Sequence, residues 1–243
     1  MPEQSRTNTG MNMFKVSMIS PTYNEKENIP KLAAELFELM AKHPDIDLEL
    51  IIVDDNSPDG TGAVADELTK KYPVKVIHRA GKMGLGSAVM EGFNLSDRDI
   101  VGVMDADLSH DPIIIPDMIY ALKNHDIVIG SRFNNESSVE NWRLDRKLLS
   151  VTGVWLARKL TKTADPLSGY FILHKKVLNN VSLTSPGYKI LLEILVKGTY
   201  KKTKEIPFRF RTREHSVSKL NSKEYYLFLK QLLVFSIRKF FKK

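Results

Sequence analysis

The chain has no cysteine among its 243 residues. That excludes disulfides, zinc–thiolate sites and cysteine nucleophiles, and it allows a reducing compartment without proving one. Long apolar runs are also missing. No stretch reaches the roughly 18 apolar residues that a membrane-spanning helix needs. The first dozen residues, through Asn12, lack the apolar core of a signal peptide and read as a disordered tail. There is no internal repeat and no low-complexity linker. The P-loop pattern G-x-x-x-x-G-K-[ST] is absent. Gly81-Lys82-Met83-Gly84-Leu85-Gly86-Ser87-Ala88 matches G-x-G-x-x-G only in part, because Val89 fills the last glycine position. It also follows the third predicted strand rather than the first, which argues against a dinucleotide site. Its glycines still allow a ligand to approach the backbone closely.

What is present is a length that suits one large domain or two small ones, with room for a real core. The net charge of +7 is unevenly spread. Residues 201–243 carry 13 Lys/Arg against 3 Asp/Glu, whereas residues 1–200 carry 23 against 26. A neutral-to-acidic body with a basic tail suggests an anionic partner near the C-terminus. Nucleic acid, an anionic membrane and plain solvation all fit that charge.

Apolar runs alternate with helical patterns through the first half. Strands are predicted at Val16–Ser20, Leu48–Val53, Val74–His78, Ile100–Asp105 and Ile127–Gly130. Helical patterns lie at Glu27–Lys42, Gly62–Lys71, Gly86–Leu95 and Pro112–Lys123. This rhythm predicts an α/β fold with a mostly parallel central sheet flanked by helices. Asn24-Glu25-Lys26-Glu27 offers a capping box for the first helix. The second half is less regular. Phe133–Leu144 is polar and reads as a loop, Asp145–Lys162 as an amphipathic helix, and Lys204–Phe210 as an added strand. Pro166, Gly169 and Pro186-Gly187 punctuate the interval between them.

Ser222–Lys243 reads as one long helix. On a helical wheel Lys223, Glu224, Lys230, Gln231, Arg238 and Lys242 share one side. Tyr225, Phe228, Leu229, Leu232, Leu233, Phe235, Ile237 and Phe240 take most of the rest, and Leu227, Val234 and Phe241 intrude on the polar side. A wide apolar face with aromatic residues and basic flanks suits a helix lying in a membrane interface. A C-terminal helix docked on the core has the same pattern.

The segment Asp105-Ala106-Asp107-Leu108-Ser109-His110-Asp111-Pro112 follows the apolar run Ile100–Met104. Its two acids therefore sit at the C-terminal end of a buried strand, the edge where open α/β sheets bind ligands. Two carboxylates one residue apart can hold a hard divalent cation with ligand phosphates completing the shell. Two acids in a surface turn have the same spacing. Two other loops converge on that edge, Ser20-Pro21-Thr22-Tyr23-Asn24-Glu25 and Val53-Asp54-Asp55-Asn56-Ser57-Pro58-Asp59-Gly60-Thr61. A ring there can stack on a base and a carboxylate can accept from base N–H groups, although an ordinary turn explains the second loop equally well. Arg132 directly follows a predicted buried strand, and arginine's planar fork suits phosphate.

Taken in order, SPTYNE, VDDNSPDGT, GLGSA, DADLSHDP, GSR, RKLLS, DPLSG and the closing R-x-x-x-x-S-K-L cover residues 16–220. This set resembles the dolichyl-phosphate β-mannosyltransferases, family 2 glycosyltransferases of GT-A fold. The resemblance implies a GT-A domain over 13–220, after a tail at 1–12 and before a basic helix at 221–243. It implies that Pro21, Tyr23, Glu25 and Asp54 or Asp55 hold the nucleoside. Lys82, Gly84, Ala106, Asp165, Ser168, Arg213 and Lys219 would complete the nucleotide-sugar site. Asp105 and Asp107 would hold Mg²⁺ or Mn²⁺, with Ser109 standing where some relatives place Gln as a further ligand. Arg132, Arg146 and Ser150 would bind the acceptor phosphate, and Asp107 and Arg132 would be the catalytic pair. Ser216 replaces a glycine usual in the closing motif, which removes backbone freedom there.

The reaction so implied is transfer of mannose from GDP-mannose to dolichyl or polyprenyl phosphate. A transferase of another sugar nucleotide, such as UDP-glucose, is the near alternative. A lipid acceptor implies an enzyme on the cytoplasmic face of a membrane without a span of its own, held by its basic helix or by a membrane-embedded subunit. A nucleic-acid-binding module would leave DADLSHDP and VDDNSPDGT unexplained, so no nucleic-acid partner is expected.

Overall fold

The computed structural model describes residues 13–132, 157–183, 189–211, 232, 234 and 235. The predicted tail at 1–12, the loop Phe133–Leu144, Arg146, Ser150, Arg213, Ser216, Lys219 and most of Ser222–Lys243 lie outside them. The elements in order are β1 (Phe14–Thr22), α1 (Ile29–Met40), β2 (Ile46–Asp54), α2 (Thr61–Leu68), β3 (Val74–His78), α3 (Leu85–Leu95), β4 (Ile100–Val103), α4 (Ile115–Ala121), β5 (Ile127–Ser131), β6 (Phe171–His174), α5 (Ile190–Lys197) and β7 (Thr203–Pro207). A 3-10 turn, Pro112–Ile114, leads into α4.

The seven strands form one sheet in the order β3-β2-β1-β4-β6-β5-β7. Every pairing is parallel except those of β6, which runs antiparallel to both β4 and β5. Near-continuous apolar runs such as Leu48–Val53 suit strands covered on both faces, and the two cores show that cover. Met18, Leu50 and Ile52 pack with Leu32 and Leu36 of α1 and Ile115 and Met118 of α4. Ile19, Ile51 and Val53 point the other way, to Val89 and Phe93 of α3 and Leu191 and Ile194 of α5. The alternation follows from the two-residue period of a strand.

Three local expectations change. The capping box does not form, because Asn24 adopts a left-handed φ of 61° and α1 starts only at Ile29. Asn28 takes the N-cap position, and its side chain donates to Glu25 Oε2 at 2.7 Å instead of capping the helix. Second, β6 and α5 were not anticipated. β6 is four residues long, too short for a period to declare itself, and Ile190–Lys197 is apolar on almost every side. Third, the added strand is shifted to Thr203–Pro207 and pairs parallel with β5 at the sheet edge, where Pro207 costs no ladder bond.

Of the predicted helix Asp145–Lys162, residues 157–161 are described and are helical. Of Ser222–Lys243, Leu232 and Phe235 are buried against Ala157, Leu167 and Leu192, while Val234 is 41% exposed. At that point the apolar side of the C-terminal segment rests on the domain. Among the described residues no helix is long and apolar enough to cross a membrane.

Candidate active site

The loops after β1, β2 and β4 leave the sheet from one edge. Thr22 is level with Asp54 across β1 and β2, and Ile19 is level with Val103 across β1 and β4. Met104 N–H still donates to Ile19 carbonyl at 3.0 Å, so the acidic segment begins where the ladder ends. Leu108 then takes a φ of 62°, an uncommon value for a branched residue, and turns the chain back on itself. Asp107 is buried, and its Oδ1 accepts from Ser109 N–H at 3.0 Å and Ser109 Oγ at 2.5 Å. Ser109 is fully buried, so its hydroxyl orients Asp107. Ala106 is buried between the two acids. The Asp105 side chain is 30% exposed, and Gly169 faces it. A Cβ on Gly169 would lie 3.6 and 3.7 Å from the two Asp105 oxygens, so any larger residue would cover the carboxylate.

Residues predicted to hold the nucleoside gather on the β1–β2 side. Pro21 is level with Val53, and Tyr23 lies just beyond β1 with Lys82 Nζ 3.9 Å from its ring centroid. Lys82 thus reaches the same ring that was expected to stack on a base, a cation–π contact. Glu25 donates its N–H to Thr61 Oγ1 at 2.9 Å. Asp54 and Asp55 are both buried. Asp54 accepts from Ser57 N–H at 3.0 Å and Ser57 Oγ at 2.5 Å. Asp55 forms an ion pair with the buried Arg79 and accepts from Gly84 N–H at 3.3 Å. Arg79 also donates to Ser87 Oγ at 2.7 Å and Gly84 carbonyl at 3.3 Å. The pair therefore fastens the glycine-rich segment to the β2 loop. Gly84 has a φ of 98°, a conformation open to glycine.

Across β4 stands Arg132, just past β5. Its Nε and Nη2 donate to the two oxygens of Asp165, each at 2.8 Å, and its backbone N–H donates to Oδ2 at 3.2 Å. Asp165 is fully buried, whereas the Arg132 side chain keeps 21% exposure. Burial works against the guanidinium charge, but Asp165 and then Asp105 outweigh it and raise its pKa. Arg132 stays protonated at any working pH. Ser168 donates to Gly130 carbonyl at 2.7 Å and accepts from Tyr170 N–H at 3.1 Å, which shapes the turn before β6.

Arg79, His110 and Arg211 were missed. Arg79 carried the same signal as Arg132, an arginine directly after a predicted strand. Arg211 donates to Asp111 and Glu35, both at 2.9 Å, and its N–H donates to Ser109 carbonyl at 3.1 Å. It ties the segment after β7 to the acidic loop, and no local spacing announces such a long-range contact.

An open α/β sheet with paired carboxylates, a cation–π ring and a phosphate-suited arginine on one edge defines a nucleotide-sugar transferase architecture. The model of glycosyl transferase family 2 matches residues 17–185. The chain belongs to that family. Its curated relatives include the dolichol-phosphate mannosyltransferase of Pyrococcus furiosus, 45% identical over 90% of this chain and 63% of that protein. The chain therefore spans less than two thirds of that relative's length. The dolichol-phosphate mannosyltransferase of Saccharomyces cerevisiae is 37% identical over 93% of this chain and 89% of that protein. Among solved structures, mannosyl-3-phosphoglycerate synthase of Rubrobacter xylanophilus superposes with a TM-score of 0.70 at 19% identity, over 90% of this chain and 73% of that one. Glucosyl-3-phosphoglycerate synthase of Mycobacterium tuberculosis, solved with Mn²⁺, UDP-glucose and phosphoglyceric acid, also gives 0.70, at 18% identity over 91% of this chain and 79% of that one. These two likenesses bear on the fold.

Proposed function

We propose that the chain transfers mannose from GDP-mannose to dolichyl or another polyprenyl phosphate, with inversion at the anomeric carbon. The observation that carries the reading is that Asp105, just beyond β4, and Arg132, just beyond β5, leave the sheet on the same side, because β6 runs antiparallel to both strands. It supplies a place for two anions side by side. The names of the relatives at 45% and 37% identity supply the lipid phosphate and the sugar.

On the donor side, Tyr23 and Lys82 would cover the base, with Pro21 and Glu25 shaping the pocket wall. Asp54 and Asp55 would hold that wall from behind through Ser57 and Arg79, and either could accept from the base through a lone pair left over. Gly84 would bring backbone close to the nucleotide. Asp105 and Asp107 offer hard oxygen donors, one partly open beside the bare face of Gly169. Two carboxylates with substrate phosphates are the usual surroundings of Mg²⁺ or Mn²⁺. When bound, such an ion supplies Lewis acidity to the departing diphosphate. Ser109 keeps Asp107 in one orientation throughout.

On the acceptor side, Arg132 would take the lipid phosphate, helped by Arg146 and Ser150. A phosphate is already anionic at neutral pH and needs no general base. The demand on the protein is to bring it near a second anion, which preorganised cations meet electrostatically. Asp165 holds the Arg132 fork in place, beside the sugar. Arg213 and Lys219 would close over the diphosphate. The enzyme would work at a membrane surface, on its cytoplasmic face, through the basic C-terminal segment or a membrane-embedded subunit.

The test is a transfer assay with purified protein, polyprenyl phosphate and Mg²⁺ or Mn²⁺, offering GDP-mannose, UDP-glucose and UDP-N-acetylglucosamine separately. Lipid-linked sugar from GDP-mannose alone, lost with EDTA, is the expected result. Product from a uridine nucleotide would keep the architecture and overturn the mannosyl assignment.

A further inference from the structure

We infer that His110 is the positioning residue of the acidic loop, fixing Asp105 for metal binding by accepting its backbone N–H. The inference rests on the proposed metal site. The bond runs from Asp105 N to His110 Nδ1 at 2.9 Å. An accepting Nδ1 carries no proton, so the neutral ring bears its hydrogen on Nε2. Asp105 is the second residue beyond β4, where the sheet no longer supplies an acceptor for its N–H. The left-handed turn at Leu108 folds the chain back so that residue 110 can do so. The loop is thereby closed by two side chains. Ser109 fixes the carboxylate of Asp107, and His110 fixes the backbone of Asp105.

The ring itself is held from several sides. It stacks on Tyr170 with centroids 4.8 Å apart and planes 8° apart. Phe208 and Phe210 meet it edge-on at 5.6 and 6.2 Å. Tyr170 is locked in turn, its hydroxyl donating to Asp111 carbonyl at 3.0 Å. The ring is 3% exposed, and its Nε2 lies 3.7 Å from Asp105 Oδ2, beyond hydrogen-bond reach. An aromatic cage alone would accept phenylalanine. What a phenylalanine lacks is the acceptor for Asp105.

Two variants separate positioning from packing. His110→Phe keeps an aromatic ring and removes the acceptor. His110→Asn removes the ring and keeps an oxygen near the place of Nδ1. The readout is Mn²⁺ affinity in the presence of GDP, followed by the electron paramagnetic resonance of free Mn²⁺, with folding checked by circular dichroism. The phenylalanine variant should bind Mn²⁺ about 10-fold more weakly or worse, the usual cost of losing a partner outside the ligand shell. The asparagine variant should bind clearly better than the phenylalanine one. Wild-type affinity in His110→Phe, or an equal loss in both folded variants, would overturn the inference and leave the metal site standing. If the wild type binds no Mn²⁺ with GDP, the metal reading fails and this inference falls with it. Should His110→Phe not fold, His110→Leu against His110→Asn decides in the same way.

Discussion

Among the described residues a buried arginine–aspartate pair stands on each side of the acidic loop, Arg79–Asp55 toward the proposed donor site and Arg132–Asp165 toward the proposed acceptor site. They differ in access. The Arg79 side chain is 1% exposed and Asp55 8%, so that pair is sealed. Asp165 is fully buried, but Arg132 keeps 21% of its side chain open. In the first pair the arginine serves the fold, binding the glycine-rich segment to the β2 loop. In the second pair the aspartate serves the arginine, aiming a cation at the strand edge. The same chemical pairing thus acts as a strut in one half of the sheet and as a presented charge in the other.

The largest effect should come from the acids that lie between the halves. Asp107→Ala removes a proposed metal ligand and leaves Ser109 without its acceptor. Transfer should fall by about 10³-fold or more, the scale of losing a preorganised electrostatic group. Initial rates with saturating Mn²⁺ check this, and substantial metal-dependent turnover in that variant would count against the scheme.

Lysine substitutions compare the two pairs directly, since lysine keeps the charge and loses the planar fork. Arg79→Lys should act mainly on stability, because a strut that donates to Asp55, Gly84 and Ser87 and pairs with Glu91 loses most of its bonds. Breaking a buried pair outright costs about 3–5 kcal/mol, which is the upper bound for this variant. Arg132→Lys should leave the melting temperature closer to wild type and raise KM for the lipid phosphate several-fold. Thermal melts and steady-state kinetics of both proteins would show it. If the two variants lose the same property, the distinction between strut and presented charge is wrong.

The smallest effect lies at the opposite edge of the acceptor half. Burial alone would raise the pKa of Asp126, but N–H donors from Lys201 and Lys202 and the charge of Lys176 outweigh it and hold it below the ordinary range. A carboxyl depressed in the folded state contributes stability above its unfolded value near 4. That contribution is lost as pH falls through the folded value. The stability gap between wild type and Asp126→Asn should therefore narrow as pH drops below about 4. A gap that stays constant from pH 7 to pH 3 would show that Asp126 is not linked to acid unfolding.

The two halves also differ in how plainly the sequence announces them. β1 to β4 are apolar runs separated by helical patterns, so their strands, their parallel direction and the shared edge could be read in advance, whereas their order in the sheet could not. Pro21, Tyr23, Asp54, Asp55, Asp105 and Asp107 were placed on that edge because each follows a strand. The acceptor half is built from a four-residue antiparallel strand and an almost wholly apolar helix, and neither displays a period. Asp165 and Arg132 were each singled out, yet their pairing was not, because a 33-residue separation leaves no local trace. His110 sat inside the recognised segment and was passed over, since a backbone acceptor role depends on the left-handed turn at Leu108. For the C-terminal segment a wheel could not decide between lipid and protein. Leu232 and Phe235 lie against the domain, and Val234, assigned to the other side of the wheel, is exposed.

The most direct measurement is the anomeric configuration of the mannose in the lipid product, from the one-bond C1–H1 coupling in the NMR spectrum. A single in-line displacement on an α-linked donor, with the acceptor phosphate as the nucleophile, predicts a β-linked mannosyl phosphate. An α-linked product would mean retention, which a single in-line displacement cannot give, and it would contradict the account.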